Sequence, residues 1–474
     1  TKNFQSGIST VNLDAGSSGA GTIAFEAGSN TVDVKAALGA ALTVSAAGTA
    51  TTDSLTINNV GGTSSTGISA LGDQSLDLNG IETFTYNSTG KAGSKAATQL
   101  VNAIDLTGVS TGGTATVNLT GTNAVTTKAS TGIISAEVVD ASALGGALVM
   151  NVAMESTAAA TGSATLTGTA KADTLKGDTG EATTINGGAG NDNITGGTAK
   201  DTIEGGAGND TINASTGKDV INGGAGADTI NLGAASQTID GGADGDTIKA
   251  AGNLAYGQSI KGGAGTDYLE ITGAVTANSA GDVVSEFEAL TIDGSFNQDL
   301  AKFGNNTFSY VNQGGSTSAV SGVVNEEIIL KTALGGGSSV VLKDASGSAD
   351  SVKIRLQAAA STDFANVYTV SDTSGTGVAG HVETVNIETK NSATTPANAT
   401  MSFDLAAAKA TTLNVTGNAG INFLADATTA RTKVTTLDAS GMSIIKDTYA
   451  GVTFASANNT ANTAVTITGS GGVD

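Results

Sequence analysis

Residues 187–249 read GGAGNDNIT GGTAKDTIE GGAGNDTIN ASTGKDVIN GGAGADTIN LGAASQTID GGADGDTIK, seven units of nine residues without a gap. Weaker copies precede them at 168–176 (GTAKADTLK) and 178–186. After a twelve-residue unit at 250–261 comes GGAGTDYLE at 262–270. The shared pattern is G-G-x-G-x-D-x-U-x, where U is a large aliphatic residue: Leu175, Ile185, Ile194, Ile203, Ile212, Ile221, Ile230, Ile239, Ile248 and Leu269. A single aliphatic residue at that fixed offset implies one inward-pointing side chain per short strand. Two units then form one coil of a parallel β-roll, and the isoleucines stack in ladders about 4.8 Å apart.

The turn residues carry the chemistry. Glycine permits positive φ and lets carbonyl oxygens converge, and the Asp at position six adds a hard carboxylate oxygen. Calcium takes about six to eight oxygens at roughly 2.3–2.6 Å, which two adjacent turns can supply jointly. Without a cation, carboxylates stacked about 4.8 Å apart repel by roughly 3 kcal/mol per pair at an effective dielectric of about 20. The spacing therefore makes a cation a requirement of the fold. The alternative is a plain array of Gly, Asn and Asp turns with solvated carboxylates.

Alternate units share an edge of the roll. One edge carries Asp173, Asp192, Asp210, Asp228, Asp246 and Asp267, and five of its six units open with GGA. On the other edge the units start at Asp178, Gly196, Ala214, Leu232 and Ala250, and the glycines erode. There Gln237 replaces the acid, and Lys200 and Lys218 stand just before Asp201 and Asp219. Lysines stacked at that edge are expected to neutralise its carboxylates. Calcium is thus expected on the first edge and largely absent from the second.

The nonapeptides resemble the RTX (repeats-in-toxin), hemolysin-type calcium-binding repeat. The resemblance implies that carbonyls at positions two and four of one turn, and one and three of the next, complete each calcium shell. In this chain those positions include Gly188 and Gly190, then Gly205, Gly206, Ala207 and Gly208, then Gly223, Gly224, Ala225 and Gly226. Gly241, Gly242 and Ala243, and finally Gly262 and Ala264, continue the set.

Composition narrows the function. Asp plus Glu number 43 against 21 Lys plus Arg, a formal net charge of −22, which argues against a nucleic-acid surface built on clustered positive charge. A chain of 474 residues suggests about three domains. Small residues with Thr, Val and Ile suit stacked strands, unlike acidic disorder. No cysteine is present, so disulfides, thiol nucleophiles and iron–sulfur clusters are absent. One histidine, His381, cannot build a two-His zinc helix. Gly108-Val109-Ser110-Thr111-Gly112 matches a hydrolase elbow, but its triad would have to recruit the distant His381. No catalytic residue, enzymatic activity or organic cofactor is expected. No run of about 20 apolar residues exists, so no transmembrane segment is expected. The chain opens on Thr1 without a signal-peptide pattern and is expected to be a processed chain or a fragment.

Beyond the repeats the chain keeps β character. Ser351-Val352-Lys353-Ile354-Arg355-Leu356 alternates strictly, and TVNLTG at 116–121 returns as TLNVTG at 412–417. The stretches GIETF (80–84), EFEAL (286–290) and HVETV (381–385) place Glu82, Glu288 and Glu383 shortly before an apolar strand residue. A turn-capping glutamate on a solenoid rung is favoured over a metal site there. The expected fold is all-β, a parallel β-roll flanked by irregular β-solenoid or β-sandwich segments. Its expected parts are an N-terminal solenoid-like segment (1–165), the calcium-binding roll (166–272), a C-terminal solenoid or sandwich (273–466) and the start of a further unit (467–474).

Stretches 344–356, 381–388 (HVETVNIE) and 411–423 (TTLNVTGNAGINF) resemble the crystalline surface-layer (S-layer) proteins of Gram-negative bacteria, over roughly residues 160–474. The resemblance is to the Caulobacter-type, calcium-dependent RTX family. It implies type I secretion, a location at the bacterial cell surface and self-assembly into a homo-oligomeric two-dimensional lattice. It also implies attachment to lipopolysaccharide through a region not in this chain. An RTX adhesin or biofilm-matrix binding protein is the alternative reading. An RTX hydrolase is weakened by the missing histidines.

Overall fold

A computed structural model describes residues 2–3, 10–13, 21–34, 42–47, 53–59, 75–89, 99–101, 103–107, 114–128, 133–151, 153–155, 163–233, 236–251, 254, 258–275, 284–304, 306–314, 319–332, 337–343, 349–372, 382–393, 399–424, 433–443, 451–454, 464 and 466–469. The elbow-like motif at 108–112, His381 and residues 470–474 lie outside them. The described elements are strands, apart from one short 3₁₀ turn at Leu300–Phe303. The described strand pairs are parallel in both the roll and its flanks. A sandwich needs antiparallel neighbours, so of the two expectations for the flanks the solenoid is the one observed. Among the described residues no helix is long and apolar enough to cross a membrane.

The chain forms two compact units, and the first comprises Thr1–Ile248 with Gly262–Gly265. Its longest column stacks Thr10–Leu13, Ser29–Val34, Ser54–Asn59, Thr83–Asn87, Thr116–Thr120 and Val138–Asp140, then Ala164–Thr167, Thr183–Asn186, Thr202–Ala207, Val220–Ala225 and Thr238–Ala243. A second column runs through Gln99–Val101, Val125–Thr127, Leu148–Val149, Thr174–Lys176, Asn193–Thr195, Thr211–Asn213 and Thr229–Leu232. Successive rungs of the roll are eighteen residues apart, as in Thr202↔Val220 and Thr211↔Thr229. Upstream the step is longer, twenty-nine from Ser54 to Thr83 and thirty-three from Thr83 to Thr116. The column passes through residue 165 without a break. What changes there is the rung length.

Burial follows the repeat. Ile185, Ile203, Ile221 and Ile239 stack in one ladder, Ile194, Ile212 and Ile230 in the other, and none exceeds 1% exposure. Each contributes about 1.5–3 kcal/mol of apolar burial. With only one such residue per strand, the roll has a thin core, so its edges must hold polar groups.

The second unit comprises Lys249–Lys261 and Thr266–Asp474. Its main column stacks Tyr268–Ile271, Ala289–Ile292, Tyr310–Gln313, Glu327–Leu330, Ser351–Ala358, Thr384–Asn391, Thr412–Gly417, Thr436–Met442 and Thr466–Thr468. Facing it across the core are strands such as Ser339–Leu342, Asp363–Asp372, Thr400–Ala406 and Gly420–Phe423. Val352, Ile354 and Leu356 point inward and Lys353 outward, as their alternation requires. Larger rungs leave more interior, filled by Phe364, Tyr368, Phe403 and Phe423, and the Tyr368 hydroxyl donates to Gln313 Oε1 at 2.6 Å.

Candidate metal centre

Each repeat places its acid immediately before a strand, where the chain turns along one edge of the roll. On the first edge the acids link rung to rung. The backbone N–H groups of Asp173, Asp192, Asp210 and Asp228 donate to Oδ1 of Asp192, Asp210, Asp228 and Asp246 at 2.7–2.8 Å. These side chains are buried, Asp192 and Asp210 at 2% exposure and Asp228 at 1%. Solvated carboxylates, the alternative left open by the sequence, are therefore not what the edge contains.

The second oxygen decides the chemistry. Oδ2 of Asp192, Asp210 and Asp228 is buried and has no hydrogen-bond partner. Burial pushes the Asp192 and Asp228 carboxyls up to about 7, and neighbouring aspartates add to the effect. Asp210 is raised for the same primary reason, burial. A buried carboxylate with one idle oxygen, stacked on others of its kind, lacks a counter-charge.

Backbone oxygens crowd the same place. A Cβ on Gly205 would lie 2.3 Å from the Gly223 carbonyl oxygen and 2.7 Å from Asp210 Oδ2; on Gly223, it would lie 2.3 Å from Gly241 O and 2.5 Å from Asp228 Oδ2. Only glycine leaves those oxygens accessible. Gly206 and Gly224 hold φ of 110° and 112°, and a Cβ on either would meet a carbonyl one rung back at 2.1 Å or less. Ala207, Ala225 and Ala243 carbonyls accept ladder bonds from Gly190, Gly208 and Gly226, each keeping a second lone pair. No three acidic or imidazole side chains converge among the described residues. The donor set is one carboxylate per rung plus carbonyls, all hard oxygen, which suits calcium.

The other edge is built differently. Lys200 and Lys218 are exposed, while Asp201 and Asp219 are fully buried. The expectation that lysines neutralise those acids is corrected: the long side chains keep their charge in water. Protein donors meet the carboxylates instead. Asp201 accepts from Thr183 N at 2.8 Å and Gly197 N at 2.5 Å. Asp219 accepts from Asp201 N and from Gln237 Nε2, each at 2.9 Å. Burial raises both acids above the usual range, yet no oxygen of either stands idle.

Two residues assigned by spacing to the first edge differ from its middle rungs. Asp173 accepts from Leu148 N on Oδ1, from Thr169 N on Oδ2 and from the Thr169 hydroxyl, because Thr169 stands where the other turns have their second glycine. Asp267 lies in the second unit, and its N–H donates to Glu288 Oε2 at 2.8 Å. Gly206, Gly224 and Gly242, and Ala207, Ala225 and Ala243, stand in register on successive rungs, and Gly262 and Ala264 lie in the strand Ser259–Ala264.

The same rung-to-rung clamp recurs outside the repeats. Glu82 accepts from Asp53 N at 2.9 Å, and Glu383 from Asp350 N at 2.8 Å. These, with Glu288, are backbone-capping roles, the reading favoured from sequence. Glu137, which accepts from Ala115 N, was missed. Its signal was present: an acid two residues before the buried Val139.

Residues 159–181, 179–212 and 213–248 match the RTX calcium-binding nonapeptide repeat. The chain thus contains RTX repeats over a minority of its length, and such repeats bind calcium; they are typical of secreted, extracellular proteins. No characterised protein matched the chain.

Proposed function

We propose that this chain is a non-enzymatic structural segment of a bacterial S-layer, folding on external calcium and assembling into a two-dimensional lattice. The observation that carries the reading is the column of buried, unpartnered Oδ2 atoms at Asp192, Asp210 and Asp228. In this reading these oxygens hold the metal, with Asp246 extending the column and the carbonyls of Gly188, Gly190, Gly205–Gly208 and Gly223–Gly226 completing the donors. Calcium, when bound, supplies the positive charge that the edge otherwise lacks.

What the chain itself does follows from its residues. The glycines hold the carbonyls in place, and the Oδ1 clamps set the register of each rung on the next. Before calcium is met, repulsion along the acid column opposes folding, which suits export of an unfolded chain through a type I channel. Afterwards the stacked columns make a stiff module, as tiling requires. A net charge of −22 keeps copies apart until divalent ions screen it.

Negative-stain imaging of the purified chain across a calcium series tests this. Ordered sheets that dissolve on chelation are expected. Isolated rods at every calcium level would overturn the lattice reading in favour of an adhesin.

A further inference from the structure

The outward face of the second unit's main column carries a strip of charge on consecutive rungs. Register sets Tyr310 beside Glu327, and Glu327 beside Lys353, on consecutive rungs. Arg355 reaches rungs on both sides. Its Nη2 lies 2.9 Å from Glu327 Oε2, and its Nε donates to Glu388 Oε2 at 2.7 Å. Lys353 and Lys390 are exposed on the same face. Both of them, with Arg355, act electrostatically on Glu327. Next to these charges Tyr310 packs edge-on against Tyr268, ring centroids 6.4 Å apart.

Three cations here face two carboxylates, on a chain whose net charge is −22. The strip contributes nothing to the interior, which Val352, Ile354 and Leu356 fill from the opposite side of the strand. We propose that it is a contact surface for a second copy of this chain, meeting carboxylates on that copy. This rests on the lattice reading above.

Three considerations favour that occupant. Copies that repel over most of their surface can approach where the sign is reversed. Arg and Tyr are the residues enriched at the centres of protein interfaces. Arg355 is already fixed by two carboxylates, so little freedom is lost when a partner docks.

The test compares the full chain with two variants in saturating calcium, following assembly by sedimentation and folding by circular dichroism. Lys353→Glu with Lys390→Glu reverses the strip. Lys409→Glu with Lys433→Glu makes the same charge change in exposed turns. The expected result is a rise of about tenfold or more in the concentration needed for sheets with the first variant only, its melt coinciding with the parent's. Should the reversed strip impair folding, Lys353→Gln with Lys390→Gln gives the same direction with a smaller rise. Equal assembly by all chains overturns the contact and leaves the lattice reading standing, as does an equal loss in both variants. A parent chain that never assembles overturns both. Normal assembly of the strip variant with lost binding to vesicles of anionic phospholipid assigns the strip to a membrane surface instead.

Discussion

Replacing Asp210 by Asn should change sign with calcium. The carboxylate accepts from Asp192 N at 2.7 Å through Oδ1, while Oδ2 is buried and unpartnered. Asparagine keeps the first bond and deletes the charge. In chelator the parent must bury an ionised group with an idle oxygen, which costs about 1–3 kcal/mol, so the variant should be the more stable by that amount. In calcium a ligand is lost from the ions on either side. A hundredfold weaker affinity at one saturated site is about 2.7 kcal/mol, so the loss should reach about 3–5 kcal/mol. Asp219→Asn is the control. Its two oxygens accept from Asp201 N and Gln237 Nε2, and in either rotamer the new amide sets donor against donor. That should cost about 2 kcal/mol with or without calcium. Urea unfolding followed by circular dichroism in both conditions reads all four values. One sign for Asp210→Asn in both, or a calcium-dependent loss for Asp219→Asn, would refute the division of the roll into two edges.

Acidity should act oppositely in the two conditions. Without calcium, Asp192 and Asp228 sit near 7 against 3.8 when unfolded. The folded state therefore holds protons more tightly, so the contribution of these groups to stability is full below about pH 4 and is lost as pH rises toward 7. With calcium the carboxylates are pinned ionised, so stability should be full above the unfolded value and lost on acidification; melts from pH 4 to 8 would show one slope in both conditions if the acids were not the ligands. Gly206→Ala, at φ 110° with its Cβ 2.1 Å from Gly188 O, should cost about 3 kcal/mol or more, whereas Gly180→Ala, whose Cβ meets nothing nearer than 3.9 Å, should stay within about 1 kcal/mol in the same melts. Glu383→Ala strips the Asp350 N–H of its acceptor and should cost about 1–2 kcal/mol, equally with and without calcium; a calcium-dependent loss would make Glu383 a metal ligand.

The isoleucine ladders and the eighteen-residue coil were legible in the sequence because a strict offset admits only one register. The acid edge was legible for the same reason. How the second edge is satisfied was not. Lys200 and Lys218 stand next to its acids along the chain, but the donors that reach those acids are the Gly197 and Thr183 N–H groups and the Gln237 amide. Backbone donors leave no mark in residue type. Asp173 misled in the same way, since the Thr169 that occupies it looks like a small deviation in a glycine column. In the flanks the rung length varies from seventeen residues, Tyr310 to Glu327, to thirty-nine, Asp363 to Ser402, so no period exists to detect. An acid just before the strand marks some of the rungs, as at Glu82, Glu288 and Glu383.

Anomalous scattering from crystals grown with calcium locates the ions and so tests the two-edged roll. Ions should lie between adjacent turns on the edge of Asp192, Asp210 and Asp228, with Oδ2 of each in the shell, and none should lie between Asp201 and Asp219. Ions on the Asp201 edge, or Asp210 Oδ2 bonded to protein donors in a calcium-loaded crystal, would show that the Asp192–Asp228 edge is not the calcium site.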